Sequence, residues 1–91
     1  MNENYKGRVI DAETGEPMIG GDVQWQFLTS AGYLHSSGTE QTGMDGRFAI
    51  DVGITYNMRM IITAHYIGYV SVTTVIGGGE NVIRLNPMPN W

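Results

Sequence analysis

Residues 58–66 read MRMIITAHY, and Ile67-Gly68-Tyr69 follows at once. Taken at period two, Met58, Met60, Ile62, Ala64 and Tyr66 point one way, and Arg59, Ile61, Thr63 and His65 the other. One face is wholly core-like and the other mixed, the pattern of a half-buried strand. Nine residues at about 3.3 Å each span roughly 30 Å, enough to cross a small domain from end to end. Every other apolar run in the chain is shorter, so this stretch reads as the central strand. It carries no recognisable chemistry.

Working outward, the same alternation recurs on both sides. Tyr5 to Asp11 reads as a first strand, closed by the turn Ala12 to Pro17, where Asp11 is placed to accept hydrogen bonds from the turn's amides. Asp22 to Leu28 alternates most cleanly, with Val23, Trp25 and Phe27 inward and Gln24 and Gln26 outward. Thr29 to Gly32 is a loop, Tyr33 to His35 opens a short strand, and Ser36 to Gln41 is polar without a clear period. Thr42 to Gly46 is a tight turn ending in Asp45-Gly46, a usual hairpin dipeptide. Arg47 to Val52 follows with Phe48, Ile50 and Val52 inward, and residues 53–57 connect to the central strand.

Beyond Gly68, Tyr69 to Ile76 forms a strand whose phase slips near Thr73-Thr74, which suggests a bulge. Gly77 to Glu80 turns the chain, and Asn81 to Leu85 is the last strand. The tail from Asn86 to Trp91 cannot extend a ladder past its prolines. Seven strands with closely spaced turns and no helical period specify an all-β, seven-stranded sandwich. The expected organisation is one domain over 1–91, with a core at 5–85 and an extended tail at 86–91.

Composition narrows the chemistry. Ninety-one residues make one domain, with about 5,200 Å² of surface expected when folded. There is no cysteine, so no disulfide, thiolate metal site or cysteine nucleophile can form. The net charge of -4 and five basic residues scattered along the chain argue against nucleic acid. No apolar run is long enough for a membrane span, and MNENYKGR has no signal-peptide core. That reading has the chain made in the cytoplasm and incorporated into a particle, or cut from a longer periplasmic or cell-surface protein.

Four motifs in order are more specific. Gly7-x-Val9-x-Asp11-x-x-Thr14-Gly15-Glu16-Pro17-Met18-Ile19-Gly20 is followed by Thr42-x-x-Asp45-Gly46-x-Phe48, then Tyr66-Ile67-Gly68-Tyr69, then Ile83-x-Leu85. Together they resemble the carboxypeptidase regulatory-like domain, a family similar in fold to transthyretin-like sandwiches, over about residues 5–85. The resemblance implies a Greek-key sandwich, also described as immunoglobulin-like, without an active site. It implies structural turn roles for Gly7, Asp11, Thr14, Gly15, Pro17, Asp45, Gly46 and Gly68. Such domains are attached to metallocarboxypeptidases, TonB-dependent receptors and bacterial surface proteins. The chain departs from the family at Thr42-Gly43, where Thr-Asp is usual, and in the longer, more polar segment from Trp25 to Gln41.

No catalytic, metal or cofactor site is expected. The two histidines, His35 and His65, lack a third ligand at metal spacing. The acids Asp11, Glu13, Glu16 and Asp22 fit no calcium loop, and the triple glycine before Glu80 has neither the lysine nor the helix of a phosphate loop. No serine sits in a nucleophile elbow. Ile61 and the loop aromatics Tyr33, Tyr56 and Tyr69 are left as exposed apolar groups of the kind enriched at interfaces.

The sequence therefore points to a non-catalytic module, a small accessory or decorating subunit docking on a larger assembly such as a virion or surface complex. The alternative is an excised regulatory-like domain of a periplasmic receptor or metallocarboxypeptidase, serving folding support or docking. Protein partners, no nucleic acid and no membrane insertion are expected. Contacts are expected from Tyr33, Leu34 and His35 in the polar excursion and from Pro87, Met88 and Trp91 in the tail.

Overall fold

The computed structural model describes residues 2–53 and 57–89. Seven strands build it: β1 (Asn2–Asp11), β2 (Asp22–Leu28), β3 (Leu34–Gln41), β4 (Arg47–Gly53), β5 (Arg59–His65), β6 (Val72–Ile76) and β7 (Gly79–Leu85). They form two sheets, ordered β4-β1-β7 and β3-β2-β5-β6. All pairings are antiparallel except β1 with β7, which is parallel. The chain is thus an all-β sandwich with one 3-10 turn at Met44–Gly46.

Within residues 58–66 lies β5, an interior strand of the four-stranded sheet. Met60, Ile62 and Ala64 are completely buried, opposite Phe27, Trp25 and Val23 of β2. From the facing sheet come Tyr5 and Val9 of β1, Phe48, Ile50 and Val52 of β4, and Ile83 and Leu85 of β7. Each is the inward member of a period-two strand, so two half-apolar sheets close on one layer of side chains. The folded surface is 5725 Å², near the scaling value for this mass.

Several local expectations are corrected. The polar run Ser36–Gln41 is fully strand, because main-chain pairing with β2 holds it although neither face is deeply buried. Its inward positions are Ser36, Gly38 and Glu40, opposite Phe27, Trp25 and Val23. Trp25 does face the core but is only half-buried, and its indole lies across Gly38 on this edge strand.

No bulge occurs at Thr73-Thr74, where register runs unbroken and Thr63 and Thr73 hydroxyls meet at 2.9 Å on the outer face. Burial on edge strand β6 is partial, so Val75 can face out and Thr74 in, which looks like a phase slip in sequence. The irregularity lies instead between Phe27 and Leu28.

Gly7 is no turn residue. It sits in the middle of β1, where a Cβ would come 2.5 Å from the Asn81 carbonyl and 2.9 Å from the Phe48 ring. Glycine is needed there for close approach, with Phe48 filling the space a side chain would take.

Asp45 and Gly46 do take left-handed conformations, with φ of 60° and 70°. The turn they make carries the chain from β3 in one sheet to β4 in the other, so it is not a hairpin within a sheet. A Cβ on Gly46 would also lie 2.4 Å from the Val9 carbonyl, so both backbone freedom and space demand glycine. Thr42 is buried, and its hydroxyl accepts from the Gly21 amide and donates to the Met18 carbonyl.

Candidate functional site

The loops that carry the sequence motifs converge at one end of the sandwich, and Asp11 is their hub. It is the last residue of β1, and its Oδ1 accepts from the amides of Glu13 at 2.7 Å and Thr14 at 3.1 Å, as expected of this turn. The Gly15 amide donates to the Asp11 carbonyl, and Pro17 bridges back to Ile10. Oδ2 accepts from the Tyr69 hydroxyl at 2.5 Å. The Tyr69 hydrogen bond, followed by the Glu13 amide, holds the Asp11 carboxyl below its ordinary value. The same bond pushes Tyr69 up to about 12.

Tyr69 is accordingly half-buried and committed, not the free loop aromatic of the sequence reading. Its ring meets Tyr66 edge-on, with centroids 5.6 Å apart. Ile61 is likewise half-buried, on the outer face between Gln26 and Val75. Gly68 supplies the left-handed position of the turn in which the Tyr69 amide donates to the Tyr66 carbonyl.

The tail joins this end. The Val70 amide donates to the Asn86 carbonyl, Tyr69 pairs with Pro87, and the Met88 amide donates to the Gly68 carbonyl. Proline lacks a donor, yet its neighbours on either side pair with the 68–70 segment, so the tail is a short annex to the body. The expectation of an unpaired tail is overturned as far as Met88.

Around these anchors the surface is apolar and acidic. Ile19, Ile67, Val70 and Met88 are exposed, Ile67 at 85%. Ile19 and Ile67 flank an open cleft of about 240 Å³, also lined by Asp22, His65 and Tyr66. The His65 Nδ1 lies 3.0 Å from the Ser71 hydroxyl. Glu13, Glu16 and Asp45 are exposed on the adjoining turns. Among the described residues no group of three or more histidine, aspartate or glutamate side chains is arranged to hold a metal ion.

The expected contact residues do not form one surface. Tyr33 and Leu34, 74% and 58% exposed, lie at the far end of β2 and β3, where Leu34 pairs with Leu28. Pro87 and Met88 lie at the end where Asp22 pairs with His65. Seven β2 residues, about 20 Å of strand, separate the two ends. His35 is exposed, and its ring meets that of Phe27 nearly perpendicular, with centroids 5.9 Å apart. Trp91 and Tyr56 lie outside the described residues. The exposed isoleucines of the motif loops were missed in the sequence because they sit inside turn motifs, which draw attention to their glycines.

Comparison with known proteins supports the architecture. No family model and no curated protein matches the chain. Among solved structures, 3-chlorocatechol 1,2-dioxygenase from Rhodococcus opacus 1CP superposes with a TM-score of 0.72 at 14% identity, over 96% of this chain and 60% of that one. Hydroxyquinol 1,2-dioxygenase from Pseudomonas putida DLL-E4 gives 0.64 at 17% identity, over 82% of this chain and 37% of that one. The chain therefore spans less than two-thirds of either enzyme. The C-terminal domain of the shaft pilin SpaA from Lactobacillus rhamnosus GG gives 0.70 at 12% identity, over 97% of this chain and 99% of that domain. At these identities the likeness is one of fold: a small β-sandwich domain similar to a pilin domain and to part of two dioxygenases.

Proposed function

We propose that this chain is a non-catalytic interaction module that docks on a larger assembly through the end where the motif loops and tail converge. The observation that carries this reading is the set Ile19, Ile67, Val70 and Met88, exposed together on backbone held by the Asp11–Tyr69 bond and the tail pairing. Apolar side chains on a rigid frame bind with little ordering cost, which is what a docking surface requires. The full-length likeness to a pilin domain agrees with a module built to stand in an assembly, and the motif order agrees with kinship to carboxypeptidase regulatory-like domains. Tyr33 and Leu34 form a separate, secondary surface at the other end.

The test is co-fractionation of the tagged chain with high-molecular-weight material in its native cell. The wild type should sediment with that material, and Ile67→Asp/Met88→Asp, with an unchanged melting temperature, should not. A wild-type chain found only in the low-molecular-weight fraction would overturn the proposal.

A further inference from the structure

Four of the chain's five basic residues, all but Arg59, share the outer face of the three-stranded sheet. Lys6 and Arg8 point outward from β1, Arg47 from β4 and Arg84 from β7, because their neighbours Gly7, Val9, Phe48, Ile83 and Leu85 point inward. Register places Arg8 opposite Arg47, and Arg84 opposite Ile10. Like charges directly across a strand pair are destabilising. Only Arg47 is engaged by an acid, Glu80 at 3.1 Å; among the described residues Lys6, Arg8 and Arg84 form no ion pair. Scattered in the sequence, these cations become one patch only through strand register, on a molecule whose net charge is -4. The same face also carries the acids Asp51 and Glu80, so it is basic in balance, and Ile10, Ala49 and Val82 lie between the charges.

The converging end described above has the opposite character: Glu13, Glu16, Asp22 and Asp45 among Ile19, Ile67 and Met88. We infer that the partner of that end is a second copy of this chain, which receives it on the basic outer face of the three-stranded sheet. The inference rests on the docking reading above and names its partner. The face carries four cations against two acids and the converging end is acidic, so the two surfaces are complementary in net charge, with apolar groups between. In the arrangement inferred, one end seats on one face per contact, so the contact is heterologous and leaves one of each free at the ends of a pair. Copies therefore add head to tail rather than closing as a two-fold dimer.

Sedimentation of the purified chain tests this. At about 10 mM salt, where charges reach roughly 30 Å, the sedimentation coefficient should climb with concentration, and at about 1 M salt, where they reach about 3 Å, it should fall to the monomer value. Arg8→Ala/Arg84→Ala and Glu13→Gln/Glu16→Gln should each weaken self-association by about tenfold or more. Mixed, the two variants should form a heterodimer that grows no further, since each keeps one working surface. All four changes are on exposed or half-exposed side chains, and circular dichroism confirms folding. If a variant fails to fold, the wild type's salt dependence alone decides. A wild-type chain that stays monomeric at low salt up to about 1 mM overturns the inference, as does association indifferent to these substitutions or a mixture without heterodimer. If the chain is monomeric yet still co-fractionates through Ile67 and Met88, the docking reading stands and the partner is a different protein.

Discussion

The Tyr69 hydroxyl donates to the Asp11 carboxylate at 2.5 Å, joining two turns 58 residues apart in sequence. One bond thereby holds the β1–β2 turn, the 66–69 turn and, through Tyr69–Pro87 pairing, the tail. The end proposed to dock is therefore one frame, and its integrity has a pH signature.

Asp11 is depressed in the folded chain, so its contribution to stability is present above the unfolded value of about 3.9 and is lost as pH falls through the lower folded value. Tyr69 is raised, so its contribution is present below about 10 and is lost as pH rises through about 12. Tyr69→Phe should lower the melting temperature at neutral pH, flatten the acid limb and shrink the alkaline one. Tyr5, also raised by burial and by Glu3, leaves a residual alkaline limb. A Tyr69→Phe melting profile that overlays the wild type from pH 3 to 12 would sink this account.

Trp25 and Gly38 make a second pair. A Cβ on Gly38 would lie 2.7 Å from the indole, so Gly38→Ala must displace the ring at a cost of about 1–3 kcal/mol. Because Trp25 is half-exposed, Trp25→Ala should cost about 2–3 kcal/mol, below the 3–5 of a fully buried aromatic. Once the indole is gone, adding the alanine should cost little, so urea unfolding should show the two changes to be strongly non-additive. Simple additivity would mean the ring does not lie across Gly38.

Gly7→Ala has less room to relax, since the nearest atom is a backbone carbonyl of β7. The expected loss is about 3 kcal/mol or more, at the upper end of overpacking effects. A change below about 0.5 kcal/mol in chemical denaturation would contradict the placement of Gly7 between Asn81 and Phe48.

Deleting residues 86–91 removes the carbonyl that Val70 bonds and the amide that bonds Gly68. Two ordinary hydrogen bonds amount to about 1–3 kcal/mol. The truncated domain should melt measurably lower yet still fold cooperatively, which calorimetry can show. An unchanged melting temperature would mean the tail contributes nothing to the body.

Metal should not matter. The melting temperature in excess chelator should equal that in millimolar calcium or zinc, whereas a site filled at a hundredfold its dissociation constant would add about 2.7 kcal/mol. A reproducible rise of several degrees with either ion would show a site that the described carboxylates and histidines do not suggest.

Much of the fold was legible in the residues alone. Alternation placed Val23, Phe27, Phe48, Ile50, Val52, Met60, Ile62 and Ala64 inward, because a fully buried sheet face tolerates only apolar groups and period two is rigid. Asp11 was legible as a turn cap because its partners are two and three residues away. What the sequence could not show is set by contacts between distant segments. Ser36 to Gln41 became a strand through main-chain pairing, which leaves no mark on side-chain pattern. Gly7 proved to be a mid-strand close contact, because only the fold brings Phe48 and Asn81 to it. The basic patch needed strand register, since neighbours across a sheet lie tens of residues apart in the chain. Alternation decides which face a residue takes, and only tertiary pairing decides beside whom.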